Sequence, residues 1–345
     1  MCMNGNESSS PEVASATGRP SSDFVAGQEN VLCDAPRRVR QLNPQRRFPD
    51  ARTLDWVARA VAPGARVVGG RRLMGGITSS IHQLAVETRS GTRTQVVLRR
   101  WTPNVWDTTA DAPQLVKRER RVLRGLESTD IPAPRVLAAD PTGESTGVPA
   151  LLMTRVPGRI DLTPTNPKAW LRQIASMAAR IHELDVGAEP YRWKQRDVPV
   201  PPWASRPGDW RAAADLVRGP APVHDARFMH GDYQHFNFLW RRGHLTGIVD
   251  WAGACRGPAD VDVGHCRLNL AVLYSAELAA DFLAAYEADA GRRVDPYWDI
   301  RCATAPAFSD WTAFIPIQVG GRARFDSAGM HRRVDDLLAA ALRRT

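Results

Sequence analysis

Lysine is almost missing from this chain. Of 46 basic residues only Lys117, Lys168 and Lys194 are lysines, and the other 43 are arginines. Arginine suits planar, bidentate contacts to phosphate and carboxylate, although GC-rich coding also produces such a bias. The net charge is +9, yet the arginines are scattered and form no long basic run, which argues against nucleic acid as a partner. Cysteine is sparse as well: Cys2, Cys33, Cys255, Cys266 and Cys302 make no CxxC pair and no regular framework. An odd, sparse set excludes a disulfide scaffold, suits a reducing compartment and gives a cytoplasmic expectation. No apolar run approaches the roughly 18 residues of a membrane span, so no membrane partner is expected. Met1 to Pro20 lacks the basic-then-apolar pattern of a signal peptide, and there is no internal repeat.

What remains is an ordinary globular balance, 43% hydrophobic and 24% charged over 345 residues, enough for one two-lobed domain or two ordinary ones. Residues 1–50 are rich in Ser, Asn, Gly and Pro and are expected to be a disordered tail. Order is expected from about Thr53, with a short helical stripe through Leu54, Val57, Ala58 and Val61 that Pro63-Gly64 stops. Three short strands follow, at Val67-Val68, 81–88 and 94–101. A charged helix spans 115–126, and two further strands lie at 136–139 and 150–154. Helices then dominate: 169–184, one long helical region over 268–291, and an amphipathic helix at the end. The expected class is therefore α+β. A small antiparallel-sheet lobe (51–155) carries nucleotide binding, and a larger, mainly helical lobe (156–345) carries the rest, with a cleft between them.

The chemistry is concentrated in residues 230–250. His230-Gly231-Asp232 is followed by Asn237, five positions after the Asp. Two apolar stretches, Phe238-Leu239-Trp240 and Gly247-Ile248-Val249, then read as a hairpin ending at Asp250. Phosphoryl transfer needs a carboxylate that orients the attacking hydroxyl and accepts its proton, and hard oxygen ligands for Mg²⁺. Asp232 suits the first role. Asn237 and Asp250 suit the second, because the hairpin returns Asp250 beside Asn237.

These residues, with Val249-Asp250-Trp251, resemble the aminoglycoside phosphotransferase family, the small-molecule branch of the protein-kinase-like fold. The resemblance runs over roughly residues 54–290. It implies a two-lobed kinase-like fold, Asp232 as catalytic base, Asn237 and Asp250 as Mg²⁺ ligands, and Asp262 as a brace for the catalytic loop. The donor it implies is ATP or GTP, the acceptor a small hydroxylated molecule, and the enzyme a monomer or homodimer. His230 reads as loop packing, His182 as a satisfied core histidine, and His235 is assigned no role.

On the nucleotide side, Gly75, Gly76, Thr78, Ser79 and Ser80 lie between two strands, where glycine lets the backbone approach phosphate oxygens and hydroxyls add donors. The plan wants a cation on the next long strand, paired with an acid on the following helix. No lysine is available there. Alternation along "QVVLRRW" puts Arg99 on one face with Val97 and turns Arg100 away. Arg99 is therefore chosen, with Glu119 as its partner. "PALLMTRVPG" resembles the interlobe linker, so backbone groups around Met153 and Arg155 are expected to meet the base.

The acceptor is less legible. Residues 251–345 carry 12 acids against 11 basic residues, which speaks against a polycation. Trp193, Trp203, Trp210, Trp298, Trp311 and Phe314 offer stacking surfaces or simply core. The alternative is a catalytically impaired nucleotide-binding regulatory module, suggested by the missing lysine. A protein kinase is disfavoured, since Asp250 to Asp262 leaves no room for a long activation segment.

Overall fold

The structure is a computed structural model that describes residues 48–73, 79–101, 111–192, 197–308 and 311–345, without the side chains of 312–314 and 317. Order reaches slightly further toward the N-terminus than Thr53. Phe48 meets His82 edge to face, with centroids 5.6 Å apart. Asp50 caps helix α1 (Ala51–Val61) by accepting the Thr53 N–H at 2.9 Å, which satisfies one of the orphan donors of the first turn.

Five strands follow: β1 (Arg66–Arg72), β2 (Ser80–Glu87), β3 (Arg93–Arg100), β4 (Val136–Asp140) and β5 (Ala150–Thr154). They form one antiparallel sheet in the order β1-β2-β3-β5-β4. The two-residue period of a strand sorts the side chains. Val96 and Leu98 of β3 join Leu84, Val86, Ala150 and Leu152 against Val57 of α1. Leu151 and Met153 of β5 face the other way, into the main core with Val97 beside them. That second face is covered by helix α2 (Ala112–Leu126), whose buried positions 112, 116, 119, 122, 123 and 126 follow the 3.6-residue period. Glu119 is the one charged residue in this otherwise apolar stripe.

The rest is mainly helical: α3 (Pro167–His182), α4 (Pro207–Arg218), α5 (Asp260–Leu273), α6 (Ala276–Ala290), α7 (Pro296–Ala303), α8 (Trp311–Val319) and α9 (Ser327–Leu342). Short strands interrupt it. β6 (Ala226–Met229) pairs with β9 (Cys255–Pro258), and β7 (Phe238–Arg241) with β8 (His244–Ile248). Helix α5 is the centre of this half and is buried almost all round. At Gly264 it lies so close to α7 that an added Cβ would sit 3.1 Å from the Asp299 Cα.

The long helical region expected over 268–291 consists of two helices. α5 begins earlier, at Asp260, and breaks at Tyr274-Ser275, where the Ser275 hydroxyl accepts the Leu278 N–H at 3.2 Å and starts α6. A serine that caps a new helix competes with continuation of the old one. Two of the tryptophans offered as stacking surfaces, Trp210 and Trp298, are core residues at 0% and 1% exposure. Trp203 is half-buried and stacks on His331 at 4.2 Å. Trp193 and the Phe314 side chain lie outside the described residues.

The end of the chain is tied down by Asp335 of α9. It accepts from the Ser205 N–H (2.7 Å), the Ser205 hydroxyl (2.5 Å) and the Trp210 indole N–H (2.7 Å). Asp335→Ala strands these donors in a buried place, so it is expected to cost about 3 kcal/mol, read as a lower denaturant midpoint with an unchanged slope.

Candidate active site

The candidate site is built where three turns meet. β6 leads into the loop His230–Asn237, whose last residues form a short 3₁₀ turn. The β7–β8 hairpin then returns the chain, and the Val249 N–H donates to the Asn237 carbonyl at 3.0 Å. Asp250 follows in the left-handed conformation, at φ 68°, a region that Asp tolerates better than most residues. Gly231 is required where it stands. Its φ is +79°, and a Cβ there would lie 2.0 Å from the Gly253 carbonyl oxygen. The loop that carries Asp232 and the turn that carries Asp250 thus touch backbone to backbone.

Asp262, in the first turn of α5, holds this loop from below. Its carboxylate accepts the backbone N–H groups of His230 (2.6 Å) and Gly231 (2.8 Å). His182 Nε2 meets the same carboxylate at 3.3 Å, and His182 Nδ1 meets the Tyr286 hydroxyl at 2.8 Å. Arg292 donates to that hydroxyl at 2.7 Å, so Tyr286 donates onward to Nδ1 and His182 donates from Nε2. Both ring nitrogens of His182 thus have partners. Burial raises the Asp262 pKa, but the bonds from His182 and His230 outweigh it and hold the carboxyl below its ordinary value. His230 itself is a loop-packing residue: its Nδ1 accepts the Asp232 N–H at 3.2 Å and its Nε2 faces the Val249 carbonyl at 3.1 Å.

Asp232 is enclosed on both oxygens. Gln234 donates to Oδ1 at 2.6 Å and His265 Nε2 reaches the same oxygen at 3.0 Å. The Asn237 amide nitrogen donates to Oδ2 at 2.9 Å and to the Asp232 carbonyl at 2.8 Å, which turns the amide oxygen of Asn237 away from Asp232. His235 points into an aromatic box of Trp170, Phe236 and Tyr274. Burial, and next the nearby His265, hold its pKa down at about 3, so it stays neutral.

Arg99 joins the sheet to this site. Its Nη1 donates to both Glu119 oxygens at 3.1 Å and to Asp250 Oδ1 at 2.7 Å, while its Nε donates to the Ser79 hydroxyl at 2.9 Å. The guanidinium also lies 4.7 Å from the Trp101 ring centroid. Burial opposes its charge, but Asp250 and Glu119 more than offset that and raise its pKa. For Glu119, burial pushes the carboxyl up; Arg99 pulls it down and Asp250 adds to the rise. The Trp251 backbone N–H also bonds this carboxylate.

Asp232 and Asn237 are thus in direct contact, and Arg99, Glu119, Asp250 and Ser79 form a second, connected group. Ser80 lies on the opposite face of β2, paired across the sheet with Arg100 and 3.5 Å from His82 Nδ1. Met153 lies one pair along from Arg99–Leu151 on the same face, opposite Val97, and the half-buried Arg155 comes just after the end of β5 at Thr154. Gly75, Gly76 and Thr78 fall outside the described residues. Sequence reasoning missed His265, Gln234 and Asn269. The last two are buried amides, and His265 stands three residues after Asp262, a spacing that puts both on one helix face.

Mg²⁺ is implied by the fold class, and the donors present fit it. Asp250 supplies a 31% exposed carboxylate and Asn237 an amide oxygen, both hard ligands. Among the described residues no cluster of three or more His, Cys, Asp or Glu could hold a metal.

A five-stranded antiparallel sheet with one ion-paired helix, followed by loop, hairpin and acid in a helical half, is a protein-kinase-like fold of α+β class. Solved structures share it. A candidate aminoglycoside phosphotransferase from Ralstonia eutropha JMP134 superposes with a TM-score of 0.54 at 20% identity, covering 86% of this chain and 98% of its own. The macrolide 2'-phosphotransferase MphH from Brachybacterium faecium gives 0.53 at 20%, covering 84% and 97%. A ternary complex of the aminoglycoside phosphotransferase APH(4)-Ia with ADP and hygromycin B gives 0.53 at 16%, covering 84% and 98%. No curated protein sequence matches the chain. The family profile described as the phosphotransferase enzyme family matches residues 76–297, more than half of the sequence, and the chain belongs to that family. It is a phosphotransferase of the kind that acts on hydroxyl groups of small molecules. Among the described residues no helix is long and apolar enough to cross a membrane.

Two outcomes follow from the geometry. Asp262→Asn removes a carboxylate whose folded pKa is depressed, so its stabilisation is present above the unfolded value of 3.8 and fades as pH falls through the lower folded value. The stability gap between wild type and variant, measured by denaturation at a series of pH values, is expected to be constant near neutrality and to shrink below about pH 4. Arg99→Ala leaves Glu119 buried and unpaired. It is expected to cost about 3–5 kcal/mol in chemical denaturation.

Proposed function

We propose that the chain transfers the γ-phosphate of ATP or GTP to a hydroxyl of a small molecule, with Mg²⁺ as cofactor. The observation that carries this reading is the pairing of Asp232 with Asn237 on a loop that meets, backbone to backbone, the turn carrying Asp250 of the Arg99–Glu119–Asp250 group. One group is suited to a hydroxyl and the other to phosphate oxygens.

In this reading Asp232 is the base. It accepts the hydroxyl proton as the new O–P bond forms and the bond from the γ-phosphorus to the bridging oxygen breaks, leaving the nucleoside diphosphate. Bound Mg²⁺, held by Asn237 and Asp250, would neutralise charge on the phosphates. Arg99 takes the cation's place on β3. A guanidinium has five N–H donors, and the contacts to Ser79, Glu119 and Asp250 all use Nε and Nη1, so Nη2 remains for a phosphate oxygen. Residues 51–155 would bind the nucleotide, with Ser79 at the phosphates and the backbone at Met153 and Arg155 at the base. Residues 156–345 would present the acceptor.

The polar groups around Asp232 are a carboxamide pair and an imidazole rather than further acids. That favours a neutral or weakly charged hydroxyl compound over a polycation. The solved relatives bind a macrolide-class or aminoglycoside-class acceptor by their names, so a glycosidic hydroxyl is the first class to screen.

Asp232→Asn keeps the shape of the site and removes the base. Phosphate transfer from labelled nucleotide to an acceptor panel is expected to fall by at least about 100-fold, with nucleotide affinity unchanged by calorimetry. Full turnover in this variant rejects Asp232 as the base.

A further inference from the structure

Helix α5 does more than hold the loop backbone. We propose that His265 is a positioning residue for phosphoryl transfer: its Nε2 fixes the orientation of the Asp232 carboxylate. The inference rests on the reading of Asp232 as the base.

A carboxylate turns easily about its last torsion, where no staggered well holds it. Gln234 and Asn237 both come from the same loop as Asp232, so they move with it and supply no outside reference. His265 comes from another element. It sits 3.0 Å from Asp232 Oδ1 on a helix that is buried almost all round. One turn earlier, Asp262 of the same helix grips the His230 and Gly231 N–H groups. The same rigid body therefore sets the loop's backbone and the direction of its acid. Asn269, one turn later, donates to the His265 carbonyl at 3.0 Å and lies 3.3 Å from Nε2, which places an amide beside the ring.

The described groups that face His265 are few. Asp232 and Gln234 come from the loop, His235 from the 3₁₀ turn, and Asn269 from its own helix. His235 stays neutral, and Asp262 is directed to the other side, toward His182 and His230. Asp232 is thus the one charged group in contact with the imidazole. His265 itself takes no proton in the transfer step; the hydroxyl proton goes to Asp232. Its side chain is 26% exposed and that of Asp232 13%, so the pair reaches solvent.

Water serves as the probe acceptor. Mg-ATP hydrolysis by the full chain is compared for wild type, His265→Phe, His265→Gln and Asp232→Asn, together with ATP affinity by calorimetry and the thermal midpoint. A misdirected base costs on the order of 10- to 100-fold. His265→Phe is expected to lower kcat by that factor with KM and ATP affinity unchanged, and His265→Gln, which restores an N–H donor, to recover most of it. Wild-type turnover that His265→Phe matches, or a loss that Gln does not relieve, overturns the positioning role while leaving Asp232 as base. A wild-type chain that neither binds nor hydrolyses Mg-ATP overturns the reading beneath it and this role together, and is recognised by the absence of any difference between wild type and Asp232→Asn.

Discussion

A single buried cation, Arg99, decides how the two halves of the molecule meet. Its guanidinium lies under the sheet, between the helix that follows β3 and a turn that comes 151 residues later. A charge in that position is tolerable only with partners in contact, so Glu119 and Asp250 must both come to it. The β3 strand, helix α2 and the Asp250 turn are fixed relative to one another by that demand. The three-way arrangement sets one cation against two carboxyl groups.

Asp262 plays the matching part in the helical half. Two backbone N–H groups of a loop have no ladder partner of their own, and one carboxylate supplies both. A chain of donors, Arg292 to Tyr286 to His182, keeps that carboxylate charged. The result is a loop whose backbone is set by a helix rather than by its own sequence, which is why a stretch as polar as Gly231–Gln234 holds one conformation.

Much of this was legible in the sequence, and the reasons differ by residue. The sheet strands and α2 were readable because their periods of 2 and 3.6 are strong. The choice of Arg99 over Arg100 followed from strand alternation, while its pairing with Glu119 came from the kinase-like plan that the sequence resembles. Asp232, Asn237 and Asp250 were marked by their spacing, and the hairpin between them was visible as two apolar stretches. The break at Ser275 was hidden because the apolar pattern runs straight through it; only the local competition of a serine cap ends the helix. His265 was hidden for a different cause. Its role depends on which loop packs over α5, and no local period reports a contact 33 residues apart. The aromatic residues were ambiguous for the same reason: Trp210 and Trp298 went to the core, where area burial outweighs any stacking role.

The contact of Gly231 with Gly253 has a consequence for how such a site survives change. Main chain meets main chain there, with no side chain as a spacer, so the separation of Asp232 from Asp250 is a matter of peptide dimensions. Exchanges among the packed residues elsewhere can tilt helices or trade volumes without altering that distance. The reaction geometry is in this sense decoupled from the drift of the scaffold, and solved relatives at 16–20% identity show how far a scaffold of this fold can drift.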